Sequence, residues 1–150
     1  MINLAKFLLS VIGDLTKPAV LEIYTDGSSK YGWGTWAYVV TKRGQILKEV
    51  SGQVHDADSN TMEFQAAIEA LSSLPLNTRA VLYSDSRILV DAMSLELYPR
   101  TKNLFNMVEK LTRLTNQHKV QWKWVKAHNG SKFNERCDQL CINARLHKNY

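Results

Sequence analysis

Apolar and polar positions along the chain follow two periods, one of two residues and one of three to four. Val20-Leu21-Glu22-Ile23-Tyr24-Thr25 and Ala80-Val81-Leu82-Tyr83-Ser84 predict strands, as do residues 35–41 and 45–52 and the run Val120-Gln121-Trp122-Lys123-Trp124-Val125. Lys42-Arg43-Gly44 predicts a hairpin turn between the second and third strands. Leu4, Leu8, Val11 and Leu15 have helical spacing and predict a helix over residues 2–16, ended by Lys17-Pro18. Glu63, Ala67, Ala70 and Leu74 form one helical stripe, which predicts a helix from near Asn60 to near Pro75. Further helices are predicted over residues 86–96, 102–117 and 132–147, with a loop at 126–130 before the last.

These connections imply an α/β chain with a mixed sheet. The first three strands, joined by short turns, form an antiparallel meander. The helix that follows is long enough to cross over and return the fourth strand parallel to the first. The expected order is 3-2-1-4-5. In such sheets, sites form at the carboxyl ends of strands where connections leave in opposite directions, here between strands one and four.

Asp26 and Asp85 stand at that point. Each lies two residues beyond a tyrosine, Tyr24 or Tyr83, and so shares its face of the strand. In parallel neighbours the two carboxylates would be about 4.8 Å apart. They would repel one another and resist ionising together unless a divalent cation relieved the repulsion. Glu63 heads the helical stripe facing the sheet and adds a third acid. Each acid also has an ordinary reading: Asp26 as a turn residue before Gly27, Asp85 as a helix N-cap, Glu63 as the partner of Asn60 in capping-box spacing, and Asp138 as a solvated helix residue.

Composition narrows the setting. The 150 residues, 45% hydrophobic and 22% charged, suit one folded domain over residues 19–150, with residues 1–18 as a helical extension expected to lie on its surface. No run reaches the roughly 18 apolar residues of a membrane span. Phe7 to Ile12 is not followed by a small-x-small cleavage pattern, so a cytoplasmic location is expected. Net charge of +5 is compatible with a polyanionic partner without demanding one. Cys137 and Cys141, four residues apart on a helix, read as reduced buried thiols.

Five segments in order carry a resemblance: Tyr24-Thr25-Asp26-Gly27-Ser28, Asn60-Thr61-Met62-Glu63, Tyr83-Ser84-Asp85-Ser86, Trp122 through Gly130, and Asn134-Glu135-Arg136-Cys137-Asp138. Over residues 19–147 the chain resembles the type 1 ribonuclease H family. The resemblance implies a ribonuclease H-like fold and an endonuclease that hydrolyses the RNA strand of RNA–DNA hybrids, leaving 5′-phosphate and 3′-hydroxyl ends. It implies two Mg²⁺ ions, replaceable by Mn²⁺, on Asp26, Glu63, Asp85 and Asp138, with Asp26 the bridge. Four carboxylates suit a hard ion that keeps several waters. His128 matches the family's loop histidine, expected to order water or carry protons. Ser28, Ser29 and Asn60 are expected to contact substrate on the minor-groove side, where 2′-hydroxyls distinguish RNA, and Glu135 to tune the site. A monomer is expected, with residues 1–18 the candidate surface for a protein partner.

The chain departs from the family pattern in three places. The interval 86–119 is short and lacks tryptophan, where many bacterial members carry a basic, tryptophan-bearing protrusion; Pro99-Arg100-Thr101-Lys102 is the only basic turn there. Ala127 stands where a glycine usually precedes the loop histidine. The stretch after Asp26 is compact. Trp122 and Trp124 share a strand face, for which core packing is expected over base stacking. Lys42, Arg43, Arg100, Lys102, Lys110, Arg113 and Lys132 are candidate phosphate contacts. Two competing readings keep the fold: a non-catalytic hybrid-binding module or reverse-transcriptase companion, and a DNA-cutting transposase or resolvase relative. An intact four-acid set argues against the first, and His128-Asn129-Gly130 with Asn134…Asp138 against the second.

Overall fold

The computed structural model describes residues 3–9 and 19–147. Strands β1 (Val20–Lys30), β2 (Trp33–Lys42), β3 (Gln45–His55), β4 (Arg79–Ser84) and β5 (Lys119–Trp124) form one sheet in the order β3-β2-β1-β4-β5. The first three strands pair antiparallel, and β4 and β5 are parallel to β1, as the connections require. Helix α1 (Ser59–Ser72) makes the crossover; α2 (Arg87–Leu95) and α3 (Lys102–Asn116) connect β4 to β5; α4 (Lys132–Leu146) closes the described fold.

Each sheet face has its own core. On one face Ile23, Leu82 and Trp122 pack against Phe64, Leu71, Leu89 and Leu111 of α1, α2 and α3. On the other, Ala37 and Val39 meet Cys137 and Cys141 of α4, with Tyr24 and Phe133 at the margin. Both cysteines are free buried thiols. At the bottom of the sheet His118 joins three elements: its Nδ1 accepts from the Thr78 amide at 3.3 Å while its Nε2 lies 3.2 Å from the Leu71 carbonyl.

Several boundaries differ from expectation for local reasons. β1 does not stop at Thr25 but continues through Asp26, Gly27 and Ser28, because β2 goes on pairing with it as far as Lys30↔Trp33. β3 likewise runs on to His55 opposite Trp33. Helix α1 starts from Asp58, whose carboxylate accepts from the Thr61 amide at 2.7 Å, and ends at Ser72 before reaching Pro75. Trp124 is exposed rather than packed in the core beside Trp122. β5 is an edge strand, and its last residue projects beyond the helices that cover Trp122.

Residues 4–9 are helical, inside the predicted helix over 2–16; the rest of that helix, apart from Asn3, lies outside the described residues. The expected contact with the domain is not made by the described part. Leu4, Phe7, Leu8 and Leu9 are all exposed.

Candidate active site

The parallel register of β1 and β4 pairs Thr25 with Ser84, so the next residue on each strand is an aspartate. Asp26 and Asp85 therefore emerge together at the carboxyl end of the sheet. Glu63 reaches them because α1 crosses β1 at Gly27, the one residue type small enough for this contact. A β-carbon there would stand 2.3 Å from the Glu63 amide nitrogen and 2.3 Å from the Met62 carbonyl carbon. Ala66, Ala67 and Ala70, all fully buried, continue this small-residue face along the helix.

Carboxylate oxygens of Asp26, Glu63 and Asp85 lie within 4.8 Å of one another. None of the three serves its alternative role. Ser86, not Asp85, caps α2, its hydroxyl accepting from the Leu89 amide at 3.2 Å. Asp58 caps α1, which leaves Glu63 free of the capping box. Asp26 lies within a strand rather than a turn. Asp138, half-buried on α4, stands outside the 4.8 Å group, but its charge acts on both Asp26 and Asp85.

The three carboxyls stand together, and burial and repulsion from neighbouring acids raise all of them. Burial first, then the charges of Asp85 and Asp138, raise the Asp26 carboxyl from 3.8 to about 7. The Gly27 amide, donating to Asp26 Oδ1 at 3.0 Å, offsets part of this. Glu63 is pushed well above the usual carboxylate range, again by burial first and then by Asp26 and Asp85. Asp85 is raised by burial, with hydrogen bonds from Asn134 and Glu63 and the nearby His128 opposing the rise. Glu63 Oε2 is buried and has no hydrogen-bond partner. An orphaned carboxylate oxygen facing two other acids is what a hard divalent cation would satisfy, so the donor set fits Mg²⁺.

The remaining predicted residues lie on β1, α1 and α4 and in the loop before α4. His128 sits in the loop before α4 with a left-handed backbone (φ 53°), while Ala127 keeps an ordinary one, so replacing the usual glycine costs nothing at that position. Ser28 and Ser29 are half-buried on the extension of β1, Asn60 is exposed in the first turn of α1, and Glu135 is exposed in the first turn of α4. Ser28 is held from the opposite side: Arg145 Nη2 donates to its hydroxyl at 2.8 Å and to Thr35 at 3.3 Å.

Sequence reasoning gave no role to two further groups. Asn134, buried in the first turn of α4, lies close enough to Asp85 to oppose the rise of its carboxyl. Arg87 lays its guanidinium 3.9 Å from the Trp124 ring, and that indole donates to the Asp85 carbonyl at 3.1 Å. The only signal in the sequence was that Asn134 and Trp124 fall inside the matching segments; Arg87 and Arg145 had none.

Comparison with known proteins bears on the family and the fold. The RNase H family model matches residues 18–145. A ribonuclease H of Geotalea uraniireducens is 38% identical over 133 residues, covering 80% of this chain and 90% of the relative. A ribonuclease HI of Campylobacter jejuni is 35% identical over 135 residues, covering 84% and 91%. Among solved structures, RNase H1 of Halobacterium salinarum superposes with a TM-score of 0.76 at 20% identity, covering 85% of this chain and 98% of that one. LC11-RNase H1 in complex with an RNA/DNA hybrid gives 0.72 at 18% identity, covering 83% and 99%. The chain belongs to the ribonuclease H family. It is a nuclease, a phosphodiester hydrolase by the chemistry of that family.

Proposed function

We propose that the chain's ribonuclease H activity, hydrolysis of the RNA strand of an RNA–DNA hybrid, is carried by Asp26, Glu63, Asp85 and Asp138 holding two Mg²⁺ ions, or Mn²⁺ in their place. The observation that supports this most directly is the convergence of three carboxylates within 4.8 Å around the unpartnered Glu63 Oε2. When bound, the ions supply a low-pKa water and charge stabilisation at the leaving 3′ oxygen. The products would carry 5′-phosphate and 3′-hydroxyl ends.

The protein's own groups hold and orient. Gly27 sets the distance between Asp26 and Glu63, and Asn134 beside Asp85 favours its charged, metal-binding form. His128, in a loop at the edge of the cluster and close enough to act electrostatically on Asp85, takes or delivers a proton as the products leave. Ser28, Ser29 and Asn60 contact 2′-hydroxyls from the minor-groove side, with the Ser28 oxygen held in place by Arg145. Glu135 lies one residue from Asn134 and tunes the site from the rim. All four acids come from one chain, so a monomer suffices.

The test incubates end-labelled RNA–DNA hybrid, double-stranded RNA, double-stranded DNA and single-stranded RNA with Mg²⁺, using wild type and Asp85→Asn. Cutting confined to the RNA strand of the hybrid, abolished in the variant and by EDTA, is expected. Binding of the hybrid without cutting, in Mg²⁺ and in Mn²⁺, would instead identify a binding module.

A further inference from the structure

The β1–β2 ribbon does not end at the acids. It continues five residues past Asp26 to a two-residue turn, roughly 16 Å further along the strand. The turn is Tyr31-Gly32, with φ of 55° and 75°, which is the type I′ geometry that favours asparagine or glycine at its first position. A bulky aromatic residue is an unfavourable choice for left-handed backbone. Nor does the fold use the ring: Tyr31 is 87% exposed. The turn itself is braced without it, since the Asp56 amide donates to the Gly32 carbonyl at 2.8 Å and Trp33 packs edge-on to His55 at 4.8 Å. An exposed aromatic in a strained position, on a braced projection beside a nuclease site, is an outlier of the kind that marks function.

We propose that Tyr31 is a substrate-positioning residue that packs its ring against a nucleoside of the hybrid, on the stretch of duplex that extends past the acid cluster. The inference rests on the assignment of that cluster as the cutting site. At roughly 3.4 Å per nucleotide the contact falls about five nucleotides from the scissile bond. The partner is a sugar or base face rather than a phosphate, because an aromatic ring offers a stacking surface and no charge. Ring contacts of this kind tolerate any sequence. They would fix the depth and register of the duplex without reading it.

The test replaces Tyr31 by Asn, Ala and Phe and measures hybrid binding in the non-cutting Asp85→Asn background, KM and kcat in the active protein, and Tm. Tyr31→Asn is expected to raise Tm by a few degrees, since Asn-Gly is the preferred turn pair. The same variant, like Tyr31→Ala, should weaken binding and raise KM about tenfold with kcat unchanged, while Tyr31→Phe keeps wild-type values. Arg43→Asn, the same exchange in the far hairpin (φ 52°), gives the Tm gain due to the turn alone. A hybrid whose duplex stops three base pairs past the cut should erase the difference in KM. Unchanged binding and KM in Tyr31→Asn, or a fall in its Tm, would overturn the proposal. Failure of wild type to cut the hybrid would overturn the site assignment instead, and the binding arm would still report on Tyr31.

Discussion

Gly27 and Glu63 are in backbone contact: the peptide joining Met62 to Glu63 occupies the space that a side chain at position 27 would need. The third carboxylate reaches the first two only because this residue has no β-carbon. Gly27→Ala must separate α1 from β1, since neither neighbouring atom belongs to a side chain that could turn aside. Overpacking of this kind costs about 1–3 kcal/mol, a loss of roughly 2–4 °C in Tm per kcal/mol at this chain length. The loss of activity should be larger in proportion, at least tenfold in kcat, because a small shift of Glu63 opens the cluster. Parallel melting curves and steady-state rates will show whether rate falls more than stability.

Asn134 stands beside Asp85 and favours its charged form, and its own Oδ1 is buried without a partner. Asn134→Ala removes this support while leaving the acid in place. Losses at such supporting positions run about 10–100-fold in metal affinity or rate. The expected outcome is weaker Mg²⁺ binding by calorimetry with hybrid affinity preserved. Equal loss of both would mean that Asn134 only supports the start of α4.

The raised Asp26 carboxyl makes the metal-free protein sensitive to pH. Its folded value of about 7 lies above the ordinary 3.8, so the folded state holds the proton more tightly than the unfolded chain. This contribution is fully present below about pH 4 and is lost as pH rises through 7. Asp26→Asn has no charge to bury. In EDTA its stability relative to wild type should therefore grow between pH 5 and pH 8, by of order 2 kcal/mol. Mg²⁺ should shrink the gap at pH 8 by stabilising only wild type. Melting curves of both proteins at the two pH values, with and without Mg²⁺, check the sign at each step.

What was legible in the sequence was whatever repeats or is constrained by connection. Alternation in β1 and β4 set the faces of Asp26 and Asp85, and a crossover helix made those strands parallel neighbours. Helix spacing likewise turned Glu63 inward. Contacts between distant segments were not legible, since nothing local in Arg145 or Ser28 announces the bond between them. Nor was the cap of α1: Asp58-Ser59-Asn60-Thr61 offers four capable residues in succession, and the cap falls on Asp58. Trp124 departs from the core packing its strand face predicts, because that face is not buried along the whole strand. β5 is an edge strand whose tip outruns its covering helices, leaving that indole free to bond Asp85 and receive Arg87.

Residues 1–18 are, we propose, an extension that the catalytic domain does not need. Asn3 starts the helical segment, its side chain accepting from the Ala5 amide at 3.0 Å, yet Leu4, Phe7, Leu8 and Leu9 all face solvent. Side chains that stay exposed contribute no burial energy to the domain. Deleting residues 1–18 should leave Tm within about 2 °C of the full chain, well under the shift that losing a packed apolar helix would cause, and kcat and KM on the hybrid should be unchanged. A Tm loss above roughly 4 °C, equivalent to 1 kcal/mol or more, would show that the segment folds against the domain. Unchanged Tm together with reduced self-association in solution would show that the apolar face meets another molecule.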